Sequence, residues 1–239
     1  MRSTFLNKIP LQMMAIATAA AGILTGCQKN IVQSQSSPIT YLYMAQESPD
    51  APAMDVYFNM SKVNTQPFGY PQTTQHYLQL NPGMYAFQFT LNGTQTVVAT
   101  ASDSLHTNTA YSLFVYDTAA ALKTMIIQDS FPPSTTSSSY VRFLHFSPGP
   151  DTVDVYQNTT KLFSLRTFAD NVSQPSQAIF QSTDPGIYTF TAIDHQTGDT
   201  LGTEPNLMLQ GGIGYTLLLR GLPHRTDSLA TSLDYMVNN

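Results

Sequence analysis

The chain has 239 residues, enough for one or two domains, and its 10 Lys and Arg face 15 Asp and Glu. A formal net charge of −5 excludes the basic footprint that nucleic-acid binding demands. Charged residues are only 10% of the chain, so Ser, Thr, Asn and Gln must supply most of the polar surface.

Arg2 and Lys8 are the only charges before residue 27, and Met13–Leu24 is a run of apolar and small residues. A basic start, a short apolar run and a small-residue cleavage site predict a secretory signal over residues 1–26. The run is shorter than the roughly 20 residues a spanning helix needs. Leu24-Thr25-Gly26-Cys27 contains the chain's 1 cysteine and resembles the lipobox of bacterial lipoproteins. That resemblance implies cleavage before Cys27 and acyl chains on its sulfur, a membrane anchor that strengthens with each buried methylene. Gln28-Lys29-Asn30 lacks both an acidic surface-export pair and an inner-membrane retention Asp, so the expected address is the outer membrane, facing either way.

Residues 27–38 read as a tether, since Ile31–Pro38 has no periodicity. The segment 39–130 then reads as strands. An aromatic-rich strand begins at Tyr41, and the phrase SPDAPAMDVYFN follows over Ser48–Asn59. Met84–Leu91 alternates, with Tyr85, Phe87, Phe89 and Leu91 on one side and Ala86, Gln88 and Thr90 on the other. The turn Asn81-Pro82-Gly83 precedes it, and Asn92-Gly93 signals a hairpin after it. Thr118–Lys123 is the one helix-like stretch and reads as a loop crossing. The segment 131–139, FPPSTTSSS, is a Pro/Ser/Thr linker.

The segment 140–239 says the same things again. SPGPDTVDVYQN over Ser147–Asn158 repeats the earlier phrase at an offset of 99, so that Ser48, Pro49, Asp55 and Tyr57 answer Ser147, Pro148, Asp154 and Tyr156. Asp184-Pro185-Gly186 answers the first proline turn at an offset of 103, and Gly214-Tyr215 answers Ala110-Tyr111 at 104. The growing offset reads as loop residues added to the second copy. A repeat of about 100 residues with seven or so short strands is the size of a β-sandwich. The expected fold is all-β, with two tandem immunoglobulin-like β-sandwiches.

The phrase S-P-x-x-P/D-x-x-D-V-Y with a later P-G-x-Y strand resembles the DUF4397 family of bacterial secreted proteins. In the second copy Gly149 and Pro150 replace the Asp-Ala of that phrase, and Asp151 replaces its second proline. The resemblance implies immunoglobulin-like sandwiches in envelope or extracellular proteins. It implies no chemistry.

The repeated phrase itself reads as a rigid crossover, with Asp55 and Asp154 accepting hydrogen bonds from loop N–H groups. A calcium site at Asp50 and Asp55, or at Asp151 and Asp154, is the sharper alternative, but two acids per copy are few for a cation that takes six to eight oxygens. His76, His106, His145, His195 and His224 build no metal or triad motif, and no Gly-x-Ser-x-Gly or phosphate loop is present. No metal, cofactor or catalytic residue is expected, and a hydrolase ranks a distant third. Asp-Ser/Thr-aliphatic triplets resemble the O-glycosylation signal of exported Bacteroidota proteins, at Ser104, Thr118, Thr152, Thr200 and Ser228. Phe68, Tyr70 and Tyr77 surround the Pro-rich crossing 66–73 and offer aromatic faces to a sugar. The expected role is non-catalytic binding or adhesion, toward a glycan or protein. A structural envelope component is the alternative.

Overall fold

A computed structural model describes residues 37–130, 137–149, 152–173 and 178–238. The signal peptide, Cys27, the tether up to residue 36, most of the linker and the Pro150-Asp151 pair lie outside these residues. Residues 37–239 fall in one compact unit.

The first copy supplies β1 (Thr40–Gln46), β2 (Met54–Phe58), β3 (Ser61–Lys62), β4 (Leu78–Leu80), β5 (Gly83–Leu91), β6 (Val97–Leu105), β7 (Ala110–Tyr116) and β8 (Lys123–Gln128). The second supplies β9 (Ser139–His145), β10 (Thr152–Gln157), β11 (Thr160–Thr167), β12 (Gln181–Thr183), β13 (Gly186–Asp194), β14 (Thr200–Leu209), β15 (Gly214–Arg220) and β16 (Ser232–Asn238). The expected loop near Thr118 includes a single 3-10 turn, Ala119–Ala121, and a one-turn helix, α1 (Asp170–Ser173), appears without a counterpart in the first copy. Ser139, the last residue of the expected linker, already belongs to β9.

Each copy folds into two four-stranded sheets. The orders are β4-β1-β7-β8 and β3-β2-β5-β6, then β12-β9-β15-β16 and β11-β10-β13-β14. Alternating side chains fill the space between the two sheets of each copy: Leu42, Val56, Phe87 and Leu113 in the first, Val141, Val155, Phe190 and Leu217 in the second. The all-β class and the tandem sandwiches are therefore as expected. The connectivity is not that of an immunoglobulin constant domain, whose first strand lies beside its second in a seven-strand sandwich. Here there are eight strands, and the first runs parallel to the seventh, with Tyr41 opposite Ala110 and Gln46 opposite Val115. The second copy repeats the pairing, with Tyr140 opposite Gly214.

The two sandwiches also share a third core. Tyr43 and Ala45 of β1 and Phe114 and Tyr116 of β7 pack with Leu144 of β9 and Leu218 of β15. The sheets holding β1 and β9 are thus covered on both faces. This explains why β9 is buried along its whole length and β1 and β7 nearly so. A strand with two dry faces reads as a continuous apolar run rather than an alternation.

The shared core relates the copies by a pseudo-twofold correspondence. Tyr43 stacks edge-on against Tyr77 at 5.6 Å, and the equivalent Arg142 lies 4.5 Å over the ring of Phe180. Tyr116 packs on Phe146 and Phe168 at 5.1 and 5.7 Å. Its counterpart Arg220 stands near Glu47, the equivalent of Phe146, and over Tyr70, the equivalent of Phe168. At the centre lies a buried polar network. Arg142 ion-pairs with Asp129 at 2.6 Å, Asp129 accepts from Tyr77 and Ser112, and Tyr77 accepts from Asn238.

Candidate ligand-binding groove

The repeated aspartates face inward and bind parts of their own copy. Asp55 accepts from Asn92 Nδ2 at 2.8 Å and the Gly93 N–H at 3.1 Å, and pairs with Lys62 at 2.8 Å. It ties β3 to the β5–β6 hairpin, whose Gly93 has φ of 73°. Asp154 accepts from Lys161 at 2.5 Å, the Leu165 N–H at 2.9 Å and Ser164 at 3.1 Å, and meets His195 Nδ1 at 2.9 Å. Burial alone would raise the Asp154 pKa. The hydrogen bonds from Lys161, His195, Leu165 and Ser164 outweigh it and hold the carboxyl well below its ordinary range. These carboxylates are filled by side chains and backbone, which leaves a calcium ion little to bind. Asp50 accepts the Ala119 N–H at 2.8 Å, and among the described residues no cluster of three His, Cys, Asp or Glu could hold a metal.

The start of the phrase closes the strand ends. The Glu47 N–H donates to Val115 and the Phe146 N–H to Leu219, at 2.7 and 2.6 Å. Ser147 Oγ lies 3.2 Å from Thr231 Oγ1, while the Ser48 N–H donates to Gln46 Oε1 at 2.5 Å. Pro49 and Pro148 then turn the chain. Tyr57 and Tyr156 stay half-buried, with Lys161 5.5 Å over the Tyr156 ring.

The aromatic platform expected at Phe68 and Tyr70 is absent. Phe68 is only 7% exposed, because its backbone pairs with Met54 and drives its ring into the first core. Tyr70 is half-buried under Arg220, and Tyr77 serves the central network. The triplet positions divide by exposure. Thr200 and Ser228 are open to solvent, whereas Ser104, Thr118 and Thr152 are half-buried.

A groove opens instead between β14 and β16, the facing edges of the second sandwich. At one end the two strands touch: a Cβ on Gly202 would sit 2.3 Å from the Leu233 nitrogen. Further along, Pro205 and Asn206 together face the single residue Thr189, and Asn206 takes φ of 56°. This is a β-bulge, which bends a strand and re-aims its side chains. In β6 the same place is regular, with Ser102 opposite Ala86 alone. The bulge is the inserted residue that carries the repeat offset from 103 to 104, so that residue lies inside a strand and not in a loop.

Beyond the bulge the groove has a volume of about 460 Å³, lined among others by Glu204, Asn206, Met208, Gln210 and Tyr235. The volume is in the range of small-molecule sites. Tyr235 is 37% exposed, a ring beside a carboxylate and two amides. Burial raises the Glu204 pKa above its ordinary value, and the charge of Asp234 adds to this. The Gln210 N–H donates to Tyr215 Oη at 2.9 Å and closes the far end.

A family model described as Domain of unknown function (DUF4397) matches residues 40–156. The DUF4397 match runs from β1 through the first sandwich into β10 and ends at Tyr156, the tyrosine of the second Asp-Val-Tyr. No curated protein matches the chain. Two solved structures are similar. One is a proposed polysaccharide binding protein (DUF1812) from Bacteroides thetaiotaomicron VPI-5482, 9% identical, covering 83% of this chain and 97% of its own, with a TM-score of 0.26. The other is CBMbc (family CBM26) from Eubacterium rectale Amy13K in complex with maltoheptaose, 12% identical, covering 83% and 96%, with a TM-score of 0.26. At these scores neither bears on the fold or the ligand of this protein.

Proposed function

We propose that this protein is a non-catalytic binding module of the cell envelope, held to the outer membrane by acyl chains on Cys27 and presenting the β14–β16 groove to a glycan. The observation that carries this reading is the Tyr235 ring set beside Glu204, Asn206 and Gln210 in a groove opened by a strand bulge. A ring face stacks on the apolar face of a sugar, while carboxylate and amide groups take its hydroxyls. The test is calorimetric titration of the delipidated chain with a panel of polysaccharides. Saturable binding, weakened at least tenfold in Tyr235→Ala, supports the reading. A panel without any binder overturns it.

The anchor has its own tests. Metabolic labelling with a fatty acid should mark the protein and fail on Cys27→Ser. Protease shaving of intact cells should release peptides of both sandwiches if the outer face carries them. Exposed Thr200 and Ser228 are the triplet positions best placed for O-glycans, and an intact mass equal to the bare lipopeptide would remove that reading.

A further inference from the structure

Among the described residues, six large apolar side chains are more than half exposed, and four of them lie at one end of the molecule. Met60 is 85% exposed, Met84 69%, Ile187 59% and Met208 57%. Apolar residues exposed singly need no explanation, but a gathering of them marks a contact. In the first copy the pairings bring them to the end where β1 begins. The Asn108 N–H donates to Ile39 O at 2.7 Å, Gly83 lies opposite Leu105, and the Asn59 N–H donates to Ala86 O at 2.8 Å. The second copy repeats this, with Gly186 opposite Leu209 and the Asn158 N–H on Thr189 O. Both copies point the same way. Asp129, bonded to Ala110 at the start of β7, meets Arg142 near the start of β9, whereas at the far end Tyr116 meets Phe146 and Glu47 faces Arg220.

Met60 holds its place at a cost. With φ of 47° and 69°, Asn59 and Met60 form the two-residue turn of the β2–β3 hairpin, where glycine suits the second position. Charge is unevenly spread as well. Six short connections line this end, at 59–60, 81–82, 106–109, 158–159, 184–185 and 210–213, and Asp184 is their one carboxylate. Lys62 and Lys161, both partly exposed, stand two residues beyond the hairpin tips. The opposite end carries Asp50, Asp117, Asp194, Asp199 and Asp227 against the exposed cations Lys123 and Arg225, a balance that an anionic lipid surface repels.

The chain enters the first sandwich at the apolar end, with β1 starting at Thr40. Residue 37, the first described, is 10 positions after Cys27, a reach of at most about 35 Å. The acidic end lies farther off by the length of a 9-residue strand such as β5, about 30 Å.

We propose that the apolar end rests on a phospholipid bilayer, with Met60, Met84 and Ile187 dipping into the interface beside Lys62 and Lys161, and the acidic end turned away from the lipid. Apolar side chains sink into the headgroup boundary while lysines keep their charged tips at its surface. Met208, opposite Ile187, borders the β14–β16 groove as well, so the groove opens sideways above the lipid. This contact rests on the reading of Cys27 as the anchor and not on glycan binding.

The chain has 1 cysteine and no tryptophan, which supplies the experiment. Delipidated protein is coupled through Cys27 to a maleimide lipid in vesicles of phosphatidylethanolamine and phosphatidylglycerol with brominated acyl chains. Met60→Trp, Met84→Trp and Ile187→Trp each place one reporter at the apolar end, and Val97→Trp and Ser228→Trp are controls at the other. Bromine should quench each of the three at least twofold and neither control. On the unsubstituted chain, hydrogen exchange at 106–109 and 210–213 should be slower on vesicles than after coupling to a soluble maleimide, and unchanged at 47–53. An unquenched reporter among the three, a quenched control, or exchange unaltered by the vesicles overturns the proposal. The coupling supplies the anchor, so these results do not depend on acylation in cells, which the fatty-acid labelling of Cys27 reads separately.

Discussion

Arg142 of the second copy and Asp129 of the first form an ion pair at 2.6 Å with neither side chain more than 1% exposed. Arg142 further donates through Nε to Thr216 at 2.7 Å and lies over the Phe180 ring, while Asp129 takes the hydroxyls of Tyr77 and Ser112. Two charges withdrawn from water in this way tolerate little displacement. They fix one sandwich against the other.

Removing either partner leaves a buried charge alone. Arg142→Met should lower stability by about 3–5 kcal/mol in chemical denaturation. Asp129→Leu combined with Arg142→Met should recover part of that loss. The unmodified chain should unfold in one transition seen alike by fluorescence and circular dichroism, because its two sandwiches share a core. Two separate transitions would contradict the shared core.

Glu47 is fully buried, and neither carboxylate oxygen has a hydrogen-bond donor; the closest cation, Arg220 Nη1, stands 3.6 Å away. Burial raises its pKa from 4.5 to about 7, against the pull of Arg220. The folded state therefore prefers the protonated acid. Stability from this group is full below pH 4.5 and is lost as the pH rises to about 7, by about 3 kcal/mol. Denaturation midpoints between pH 4.5 and 8 should fall in the wild type and stay level in Glu47→Gln.

Asp154 has the opposite sign. Its folded pKa is depressed, so its contribution is present above the ordinary 3.8 and disappears as the pH drops toward the folded value. Asp154→Ala releases Lys161, Ser164, the Leu165 N–H and His195 together, while Asp55→Ala releases three donors. The thermal midpoint should fall in both variants, and further for Asp154.

Gly202 allows β14 to touch β16, where the equivalent Ala99 in β6 leaves room for a methyl group. Gly202→Ala should cost about 1–3 kcal/mol by overpacking against Leu233. Ala99→Gly should cost about 1 kcal/mol, through chain entropy and the loss of one methyl from the first core. Reversed magnitudes would mean that the strand contact is not tight.

Deleting Asn206 restores one-to-one pairing with β13. The deletion variant should fold, lose the groove and bind at least tenfold less of any glycan that the intact chain takes. Unchanged binding would detach recognition from the bulge.

Residues with a single job were legible in the sequence. The alternation of β5 and β13, the proline turns, the Asn92-Gly93 hairpin and the turn-binding aspartates follow from local chemistry repeated twice. Residues with two jobs were not. Tyr43, Phe114 and Leu144 look like parts of ordinary strands, yet their unbroken apolar context meant a second buried face. Phe68 carries the composition of an exposed recognition loop, but one backbone pairing with Met54 turned it inward. The groove left a trace of one residue in the repeat offset. Nothing local distinguishes an extra loop residue from a strand bulge until pairing partners are known. Tyr235 carries no signal in the sequence, because it belongs to no repeated motif and its equivalent is Ile126.

The parallel pairing of β1 with β7 sets an order of events. The β2–β3 and β5–β6 hairpins can close as soon as they are made, but Tyr41 must wait for Ala110. When the first sandwich is complete at Gln128, the face bearing Tyr43, Phe114 and Tyr116 is still uncovered, and it is the second copy, through Leu144, Phe146, Phe168, Leu218 and Met236, that covers it. A half-made chain is therefore sticky, with an apolar wall ready to meet any similar wall. The first half of this protein thus depends on its second, and the repeat can be shortened only at the risk of aggregation.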